Sequence, residues 1–379
     1  MRRIDLIEPF RVMQLLERAK ELETAGRKII HMEIGEPDFP TPTAVIEAAR
    51  EQLASGDNFY TPSTGNPQLQ QALSHWYRQE YGVDVASERI LITPGTSGAF
   101  SLIYAVLLEA GESMLLSDPG YPCQRNFIRL AGGDPVNIPV GPETRYHLSA
   151  ALLEQHWLKH TRAALIINPS NPTGTLIEGK AMAAMAESCR NHGGHLISDE
   201  IYHGLTYGAK ARCALEFDDH AIVVNGFSKR WAMTGWRIGW IIVPENLIEA
   251  CRRVMQNIFI AAPTLSQHAA ITALTASDAV EAMRCAYDER RRYLLAELPA
   301  LGFDIVVEPQ GAFYIYANVS RITRDARSFC WQLLEDAGVA LTPGEDFGAF
   351  RADEHIRFSY ATGLDDIREG IRRIRNFLG

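Results

Sequence analysis

The chain has 379 residues, 46% of them hydrophobic and 22% charged, with a formal net charge of -9. That length allows two domains with a large core, and the acidic balance argues against a nucleic-acid-binding surface. The six cysteines form no CxxC pair and no zinc-type spacing, and no apolar run is long enough for a membrane span. The first ten residues also lack the apolar core of a signal peptide. We therefore expect a cytoplasmic protein with no disulfide framework, no metal site and no membrane or nucleic-acid partner.

The beginning of the chain predicts two helices with an irregular segment between them. Apolar residues at helical spacing indicate an amphipathic helix over residues 9–25, and a short strand over 29–34 follows it. Gly35 and three prolines in GEPDFPTP then force an extended, irregular path. A second helix over Thr43–Ser55 precedes a polar loop that contains Tyr60. In isolation, these segments indicate connections between elements.

Short apolar runs that end in turns predict the strands of a sheet. They cover residues 90–93, 113–116, 163–167, 195–198, 221–224 and 238–243. The first run enters PGTSGAF and a helix through residue 108, so backbone N–H groups and a helix dipole would point at one spot. The third run ends in NPSNPTG, whose two Asn-Pro steps stop the strand abruptly. The glycine turn in PGTSGAF therefore indicates an anion site, although most glycine turns of this kind merely begin a helix.

Lys229 lies in NGFSKRWAMTGWRIGW, a glycine-containing turn between the last two of these strands. A lysine held among apolar and small residues is partly desolvated, which lowers its pKa and lets the amine attack a carbonyl. Asp199 follows the preceding strand, thirty residues earlier, so successive strands would bring the carboxylate and the amine to one sheet edge. Taken alone, the lysine would be a solvated surface residue, and the aspartate would be a helix cap or a salt-bridge partner.

The pattern changes after residue 277. A charged helix over 279–298 is followed by strands over 303–308 and 312–317, a helix over 325–337, a strand over 355–360 and a helix over Leu364–Leu378. This order indicates a smaller α+β unit, which the N-terminal helix would complete. In HIRFSYA, Arg357 alternates with Ile356 and Phe358 and so would face away from the apolar side of its strand. For an isolated residue, a solvated strand-face arginine is the ordinary interpretation.

The string GTLIEGK at residues 174–180 matches a P-loop up to its last position. A P-loop needs Ser or Thr after the lysine to bind magnesium, and this chain has Ala181 there. The glycines also follow a proline-rich turn instead of a strand that leads directly into a helix. We therefore set a nucleotide-hydrolase function aside.

Taken together and in order, GEPDF, PGTSG, NPSNPTG, SDEIY, SKRWAMTGWR and HIRFSYA resemble the class I/II pyridoxal-phosphate-dependent aminotransferases of fold type I, the aspartate aminotransferase superfamily. The resemblance extends from about residue 29 to residue 360. It implies an α/β fold in which a mostly parallel seven-stranded sheet lies between helices, with a smaller α+β domain beside it. The implied domains are a large cofactor-binding domain over 45–278 and a discontinuous small domain over 1–44 and 279–379.

The resemblance also assigns roles to individual residues around pyridoxal 5'-phosphate. Lys229 would hold the cofactor and move protons, and Asp199 would pair with the pyridine nitrogen and keep the ring an electron sink. Tyr202 and Asn171 would bind the phenolic oxygen. The phosphate would be held by Gly95, Thr96, Ser97 and Arg237, together with Tyr60 from the second subunit of a homodimer. Tyr121 would stack on the ring, and the substrate would contact Gly35, Asn171 and Arg357, the last through its α-carboxylate.

One position departs from the pattern of this family. Many of its members carry a hydroxyl residue three positions before the lysine that also holds the phosphate, and this chain has Gly226 there. Ser228 stays among the cofactor-binding candidates, although the geometry of the family would turn it elsewhere. We therefore expect a phosphate site with one side-chain donor fewer.

The implied activity is transfer of an amino group from an L-amino acid to a 2-oxo acid, either 2-oxoglutarate or pyruvate, by a ping-pong mechanism. Two alternatives stay open. Cystathionine-type C-S β-lyases and aminocyclopropane-carboxylate synthases share these motifs but eliminate a group. Such domains also serve as non-catalytic ligand sensors, which would need a DNA-binding module that the roughly thirty residues before GEPDF do not supply. No second arginine lies in a recognisable side-chain-binding motif, so the sequence does not support a dicarboxylic donor and leaves the donor open.

Overall fold

A computed structural model describes residues 3–379 of the chain. Met1 and Arg2 lie outside the described residues. They belong to the N-terminal segment that, from its sequence, we do not expect to be a signal peptide. Within residues 3–379 the strands are β1 (Ile30–His31), β2 (Ile90–Thr93), β3 (Ser113–Asp118), β4 (Asp134–Pro139), β5 (Thr161–Ile167), β6 (His195–Asp199), β7 (Ile222–Gly226), β8 (Gly239–Ile242), β9 (Tyr314–Asn318), β10 (Val339–Ala340), β11 (Thr342–Pro343) and β12 (His355–Ser359).

The α-helices connect and cover these strands. They are α1 (Arg11–Thr24), α2 (Thr43–Ser55), α3 (Pro67–Tyr81), α4 (Gly95–Leu107), α5 (Pro122–Ala131), α6 (Ala150–His156), α7 (Gly179–Asn191), α8 (Glu245–Ile258), α9 (Thr264–Ala273), α10 (Ser277–Glu297), α11 (Ala326–Gln332) and α12 (Leu364–Leu378). Short 3-10 turns join several of them, and a π-helical turn over Leu333–Ala337 extends α11.

The seven-stranded sheet runs in the order β2-β8-β7-β6-β5-β3-β4. All neighbours in it pair in parallel except β8, which is antiparallel to both β2 and β7. Alternate residues of β5 enter different cores, with Ala164 and Ile166 in one and Ala163 and Leu165 in another. Because side chains alternate across a strand, helices cover this sheet on both faces. The fold is therefore the α/β class that the sequence predicted.

A smaller antiparallel sheet, in the order β11-β12-β9, packs with α10, α11 and α12 around a core that also takes in Ile201, Tyr202, Leu205 and Tyr207 from the segment after β6. Beside it, β1 pairs in parallel with β10 and carries the chain from α1 towards the central sheet. The division into domains over 45–278 and over 1–44 with 279–379 stays a prediction.

The prediction of a strand over residues 303–308 is wrong. These residues make only a single bridge, between Asp304 and Asn318. Phe303 is fully buried, whereas Val306 is 52% exposed, so the run turns away from the sheet instead of following β9. Its apolar, β-branched composition favours a strand, but backbone pairing decides whether a strand forms.

Two other predicted strands are shorter in the structure. The run over 29–34 is a strand only at Ile30–His31, because its partner β10 offers only two residues. The strand predicted from residue 312 begins at Tyr314, because Ala312 has a φ of 56°, outside the extended region. In both cases the element exists and its ends differ.

All six cysteines are free, and most are buried. Within residues 3–379, no group of three or more His, Cys, Asp and Glu side chains is placed to hold a metal ion. None of the helices described there is long and apolar enough to cross a membrane.

Candidate active site

A cavity of about 290 Å³ lies where β5, β6 and β7 end, beside β1 and the small sheet. The structure brings most of the candidate residues together around it, namely Gly35, Thr96, Ser97, Tyr121, Asn171, Asp199, Tyr202, Ser228, Lys229, Arg237 and Arg357. The carboxyl ends of neighbouring parallel strands meet at one edge of a sheet, which is why residues so far apart in sequence converge. The volume of the cavity is close to the lower limit for small-molecule binding sites, which is roughly 300 Å³.

Lys229 enters this cavity from the turn that follows β7. Its Nζ donates a hydrogen bond to the carbonyl oxygen of Gly35 at 2.6 Å. Desolvation lowers the pKa of the amine to about 8; the charge of Glu36 opposes this effect, and the charges of Arg357 and Arg237 reinforce it. Near neutral pH, much more of this amine is therefore neutral and nucleophilic than of a solvated lysine.

Asp199 is the last residue of β6 and is only 5% exposed. Burial raises the pKa of its carboxyl to about 7, although the N–H of Ile201, which binds Oδ1 at 3.2 Å, and the charge of Lys229 act in the opposite direction. A buried carboxylate with so little compensation gains from a cationic partner. This site therefore suits a protonated ring nitrogen.

The hydroxyl groups of Tyr202 and Tyr314, two residues that line the cavity, form a hydrogen bond with their Oη atoms 2.8 Å apart. Burial raises the pKa of Tyr202 well above its usual range, so its phenol stays protonated. The Tyr314 hydroxyl occupies the space that a Cβ at position 35 would need. Gly35 is thus required by this close approach, and its carbonyl remains free to bind Lys229.

The start of α4 and Arg237 form the basic end of the cavity. Gly95 begins the helix with a φ of 73°, and a Cβ there would lie 2.7 Å from Arg237 Nη2. Thr96 and Ser97 follow in the first turn, where backbone N–H groups have no partner within the helix. Arg237 is held by a hydrogen bond from Nη1 to the carbonyl oxygen of Thr234 at 2.9 Å. A helix N-terminus beside a guanidinium is suited to a phosphate dianion.

Arg357 is buried, with 5% exposure, in contrast to the solvated position that its strand pattern suggested for an isolated arginine. Its neighbours Ile356 and Phe358 are also fully buried, because β12 is the middle strand of the small sheet and is covered on both faces. Nη1 donates to Asn171 Oδ1 at 2.9 Å, and Nη2 donates to the carbonyl oxygen of Glu33. Nε has no hydrogen-bond partner among the described residues, so a donor is left for a ligand.

Two aromatic rings fix the plane of this guanidinium. The Cζ of Arg357 lies 4.4 Å from the ring centroid of Tyr314 and 4.7 Å from that of Phe347. A desolvated cation–π contact contributes about 2 kcal/mol, so the rings hold the charge as well as the orientation. The position is suited to binding a carboxylate by charge-assisted hydrogen bonding.

Tyr121 and Ser228 complete the lining predicted from the sequence. Tyr121 occupies the N-cap position of α5, and its ring packs edge-to-face with the ring of Phe10 at a centroid distance of 6.4 Å. Ser228 is 8% exposed and borders the cavity. A Cβ at Gly226 would lie 3.2 Å from the backbone of β8, so this position is closely packed. The expected loss of one phosphate donor stays a prediction.

Tyr60 does not line the cavity of its own chain. It is 80% exposed, and Phe59 beside it is 78% exposed. Thr264 donates a hydrogen bond to the carbonyl oxygen of Phe59 at 2.7 Å, which brings this loop to the start of α9. Ile258 and Ile260, just before α9, are also more than half exposed. Exposed apolar groups close together are typical of a protein–protein contact.

Sequence reasoning missed Tyr314 and Phe347, which both contact Arg357. AFYIYA was predicted as a strand, but its pairing with HIRFSYA, which places Tyr316 opposite Arg357, is known only from the structure. Tyr314 is then a diagonal neighbour on the same face. Phe347 follows a turn after β11, and nothing in its local pattern marks it.

Glu33 is a further missed residue, with a side chain that is fully buried beside the cavity. Its Oε1 accepts a hydrogen bond from His31 Nδ1 at 2.7 Å, and this bond raises the pKa of His31 to about 9. Its Oε2 has no partner among the described residues. The backbone of Glu33 is what holds Arg357, so the side chain secures the end of β1.

With this geometry established, comparisons with known proteins give a consistent result. The family model "Aminotransferase class I and II" matches residues 27–374. The (5-formylfuran-3-yl)methyl phosphate transaminase of Methanocaldococcus jannaschii is 39% identical over 98% of this chain and 97% of its own. The valine–pyruvate aminotransferase of Mycobacterium tuberculosis is 38% identical over 98% of this chain and 97% of its own.

The solved structures give the same result for the fold. A crystal structure of an aminotransferase from Mycobacterium tuberculosis superposes with a TM-score of 0.95 at 38% identity, and the match covers 98% of this chain and 97% of that one. At this identity and coverage, the match concerns the whole architecture and not a single domain.

Proposed function

The chain belongs to the class I and II aminotransferase family and is a pyridoxal-phosphate-dependent transaminase. From this premise we propose that it moves an amino group from an L-amino acid to a 2-oxo acid, either 2-oxoglutarate or pyruvate. The two substrates would use one site in turn, as a ping-pong mechanism requires. The observation that carries this proposal is the convergence of Lys229, Asp199 and Arg357 on one cavity.

The residues present fit pyridoxal phosphate. A helix N-terminus with Arg237 matches a phosphate, the buried Asp199 matches a pyridinium nitrogen, and the Lys229 amine matches an aldehyde. We propose that Tyr121 stacks on the ring and that Tyr202 and Asn171 bind its phenolic oxygen. When bound, the cofactor supplies an electron sink for the negative charge that develops at the substrate Cα.

The residues of the chain then orient the substrate and move its proton. We propose that Arg357 binds the α-carboxylate, with the guanidinium plane already set by Tyr314 and Phe347. Lys229 Nζ would take the proton from the substrate Cα and return it in the reverse half-reaction. Its lowered pKa, about 8, is close to the pH at which such a group must act both as base and as acid.

We further propose a homodimer in which Tyr60 reaches the phosphate of the partner subunit. This proposal is supported by the exposure of Tyr60 and Phe59 and by their distance from the cavity of their own chain, which neither residue lines. A cytoplasmic location remains a prediction from the unpaired cysteines.

The function is tested by a half-reaction. The cofactor-loaded enzyme is mixed with one L-amino acid and no acceptor, and the cofactor absorbance and the organic products are followed. Transamination predicts conversion of the cofactor to its amine form with one equivalent of 2-oxo acid, and recovery when 2-oxoglutarate or pyruvate is added. Release of ammonia with the cofactor unchanged would instead identify an eliminating enzyme, and binding without any product would identify a sensor. Lys229→Ala is the control that should produce neither change.

A further inference from the structure

The first helix carries two apolar stripes instead of one. Leu15, Ala19 and Leu22 form a core with Ile29, Leu334 and Ala340, which is the ordinary stripe of a helix packed on a domain. Met13 and Leu16 lie on a second stripe three residues apart, and Phe10 precedes them at the N-cap. All three border the active-site cavity.

These three side chains lie outside the core that α1 forms through Leu15, Ala19 and Leu22. Met13 is 44% exposed, and Phe10 and Leu16 are half-buried, so each keeps apolar surface open to the cavity. Scattered exposed hydrophobic residues are normal on a protein surface, but these converge on a pocket. Phe127 and Phe100, whose rings are 6.4 Å apart, extend the same apolar wall from α5 and α4.

The charged groups that line the cavity are not part of this apolar wall. Its basic side chains among the described residues are Lys229, Arg237 and Arg357, and the proposed function uses each of them. The acidic ones are Glu33 and Asp199. A second carboxylate on the substrate would therefore lose its hydration beside this wall and gain no cation from the described chain.

We infer that the amino donor has an apolar side chain, aliphatic or aromatic, which packs against Phe10, Met13 and Leu16. This inference rests on the proposed function and names its substrate class. Because 2-oxoglutarate carries a second carboxylate and pyruvate does not, the same apolar wall favours pyruvate as the acceptor. Met13 and Leu16 are then specificity-determining residues contributed by the first helix.

The test measures kcat/KM in the half-reaction for L-alanine, L-2-aminobutyrate, L-norvaline and L-norleucine, and for L-leucine, L-phenylalanine and L-aspartate. Each added methylene that is buried on the wall should raise kcat/KM by about three- to fourfold. The best apolar donor should exceed aspartate by about a hundredfold or more. Aspartate as the best donor, or a series that does not rise with chain length, would overturn the inference.

Variants locate the effect on the helix. Met13→Ala and Leu16→Ala should each lower the norleucine-to-alanine ratio by about fivefold. Met13→Lys should raise the aspartate-to-norleucine ratio, because it supplies the missing cation. The matched control is Gln14→Ala, the next residue on the same helix, which is exposed and does not border the cavity. Unchanged ratios in the Met13 and Leu16 variants would contradict the assignment, whereas failure of every amino acid to convert the cofactor would refute the proposed function itself.

Discussion

The carboxylate of Asp118 occupies the space that a side chain at Gly348 would need. Asp118 ends β3, and its Oδ2 accepts a hydrogen bond from the N–H of Ala349 at 3.0 Å and is shared with that of Phe350 at 3.3 Å. A strand of the central sheet is thereby joined to the loop that carries Phe347. Since the ring of Phe347 lies against Arg357, this contact connects the central sheet to the proposed carboxylate site.

Gly348→Ala should displace this loop and weaken substrates through their α-carboxylate. A displacement of even 1 Å can cost up to about a hundredfold in rate, so we expect KM to rise by about tenfold or more. The absorbance of the bound cofactor should not change, which separates this effect from unfolding. Gly363→Ala is the matched control, because a Cβ there meets nothing closer than 4.0 Å. A wild-type KM in Gly348→Ala would show that the loop does not position Arg357.

The lowered pKa of Lys229 gives a prediction for the cofactor-free protein. The neutral amine is the reactive form, so its arylation by trinitrobenzenesulfonate should rise with pH and level off above about 8. Peptide mapping by mass spectrometry measures this rate at Lys229 and, as an internal comparison, at the exposed Lys159. A rate at Lys229 that is still rising between pH 9 and 10.5 would contradict the desolvation that the structure indicates.

Six strands of the central sheet and the residues at their ends could be predicted because their signals are local, whereas β4, an edge strand, was not predicted from the residues. Apolar runs that end in glycine, proline or asparagine turns show where each strand stops. The residues that matter chemically, such as Asn171, Asp199 and Lys229, lie at those ends or in the turns that follow them. Parallel topology then brings them together without any long-range information.

The residues that the sequence did not predict depend on contacts between distant segments. Tyr314 reaches the site through the pairing of β9 with β12, and Phe347 reaches it through the loop held by Asp118. The strand expected over 303–308 failed for the same reason, since only Asp304 finds a partner there. Likewise, Arg357 is buried because both faces of β12 are covered, which periodicity within HIRFSYA does not reveal.

Asp199→Ala should leave the fold intact and slow deprotonation of the substrate Cα severely, because the ring nitrogen would lose the partner that keeps it protonated. Asp199→Glu should retain more activity than the alanine variant, since the charge survives at a slightly different position. The measurement is the single-turnover rate of the half-reaction with Cα-deuterated and ordinary substrate. Equal rates for the glutamate and alanine variants would count against the electron-sink role.

Arg357→Lys should weaken carboxylate-bearing substrates while hardly affecting cofactor binding. A lysine cannot reproduce the planar donor set of the guanidinium or its stacking between Tyr314 and Phe347, a loss of about 2 kcal/mol or roughly thirtyfold in affinity. The test compares an amino acid with the amine that lacks its carboxylate. The amine should be insensitive to the change, and a similar loss for both would place Arg357 elsewhere.

The proposed role of Tyr60 predicts that two inactive variants restore activity when they are mixed. Lys229→Ala removes the amine, and Tyr60→Asp places a carboxylate against the phosphate dianion and should empty the site. If Tyr60 serves the partner subunit, a hybrid dimer collects both lesions in one site and none in the other. If Tyr60 served its own chain, every site would keep one lesion.

Unfolding and refolding an equal mixture should make about half of the dimers hybrids, so about a quarter of all sites should be intact. Activity should therefore rise towards about a quarter of the wild-type value per site, with hybrid formation confirmed by native mass measurement. Phe59→Asp is an informative companion to Tyr60→Asp, because Phe59 is equally exposed and adjacent. If Phe59 acts only at the surface between subunits, Phe59→Asp should impair dimer formation, and mixing it with Lys229→Ala should not restore activity. Confirmed hybrids with no gain of activity from the Tyr60 pair would remove the shared site.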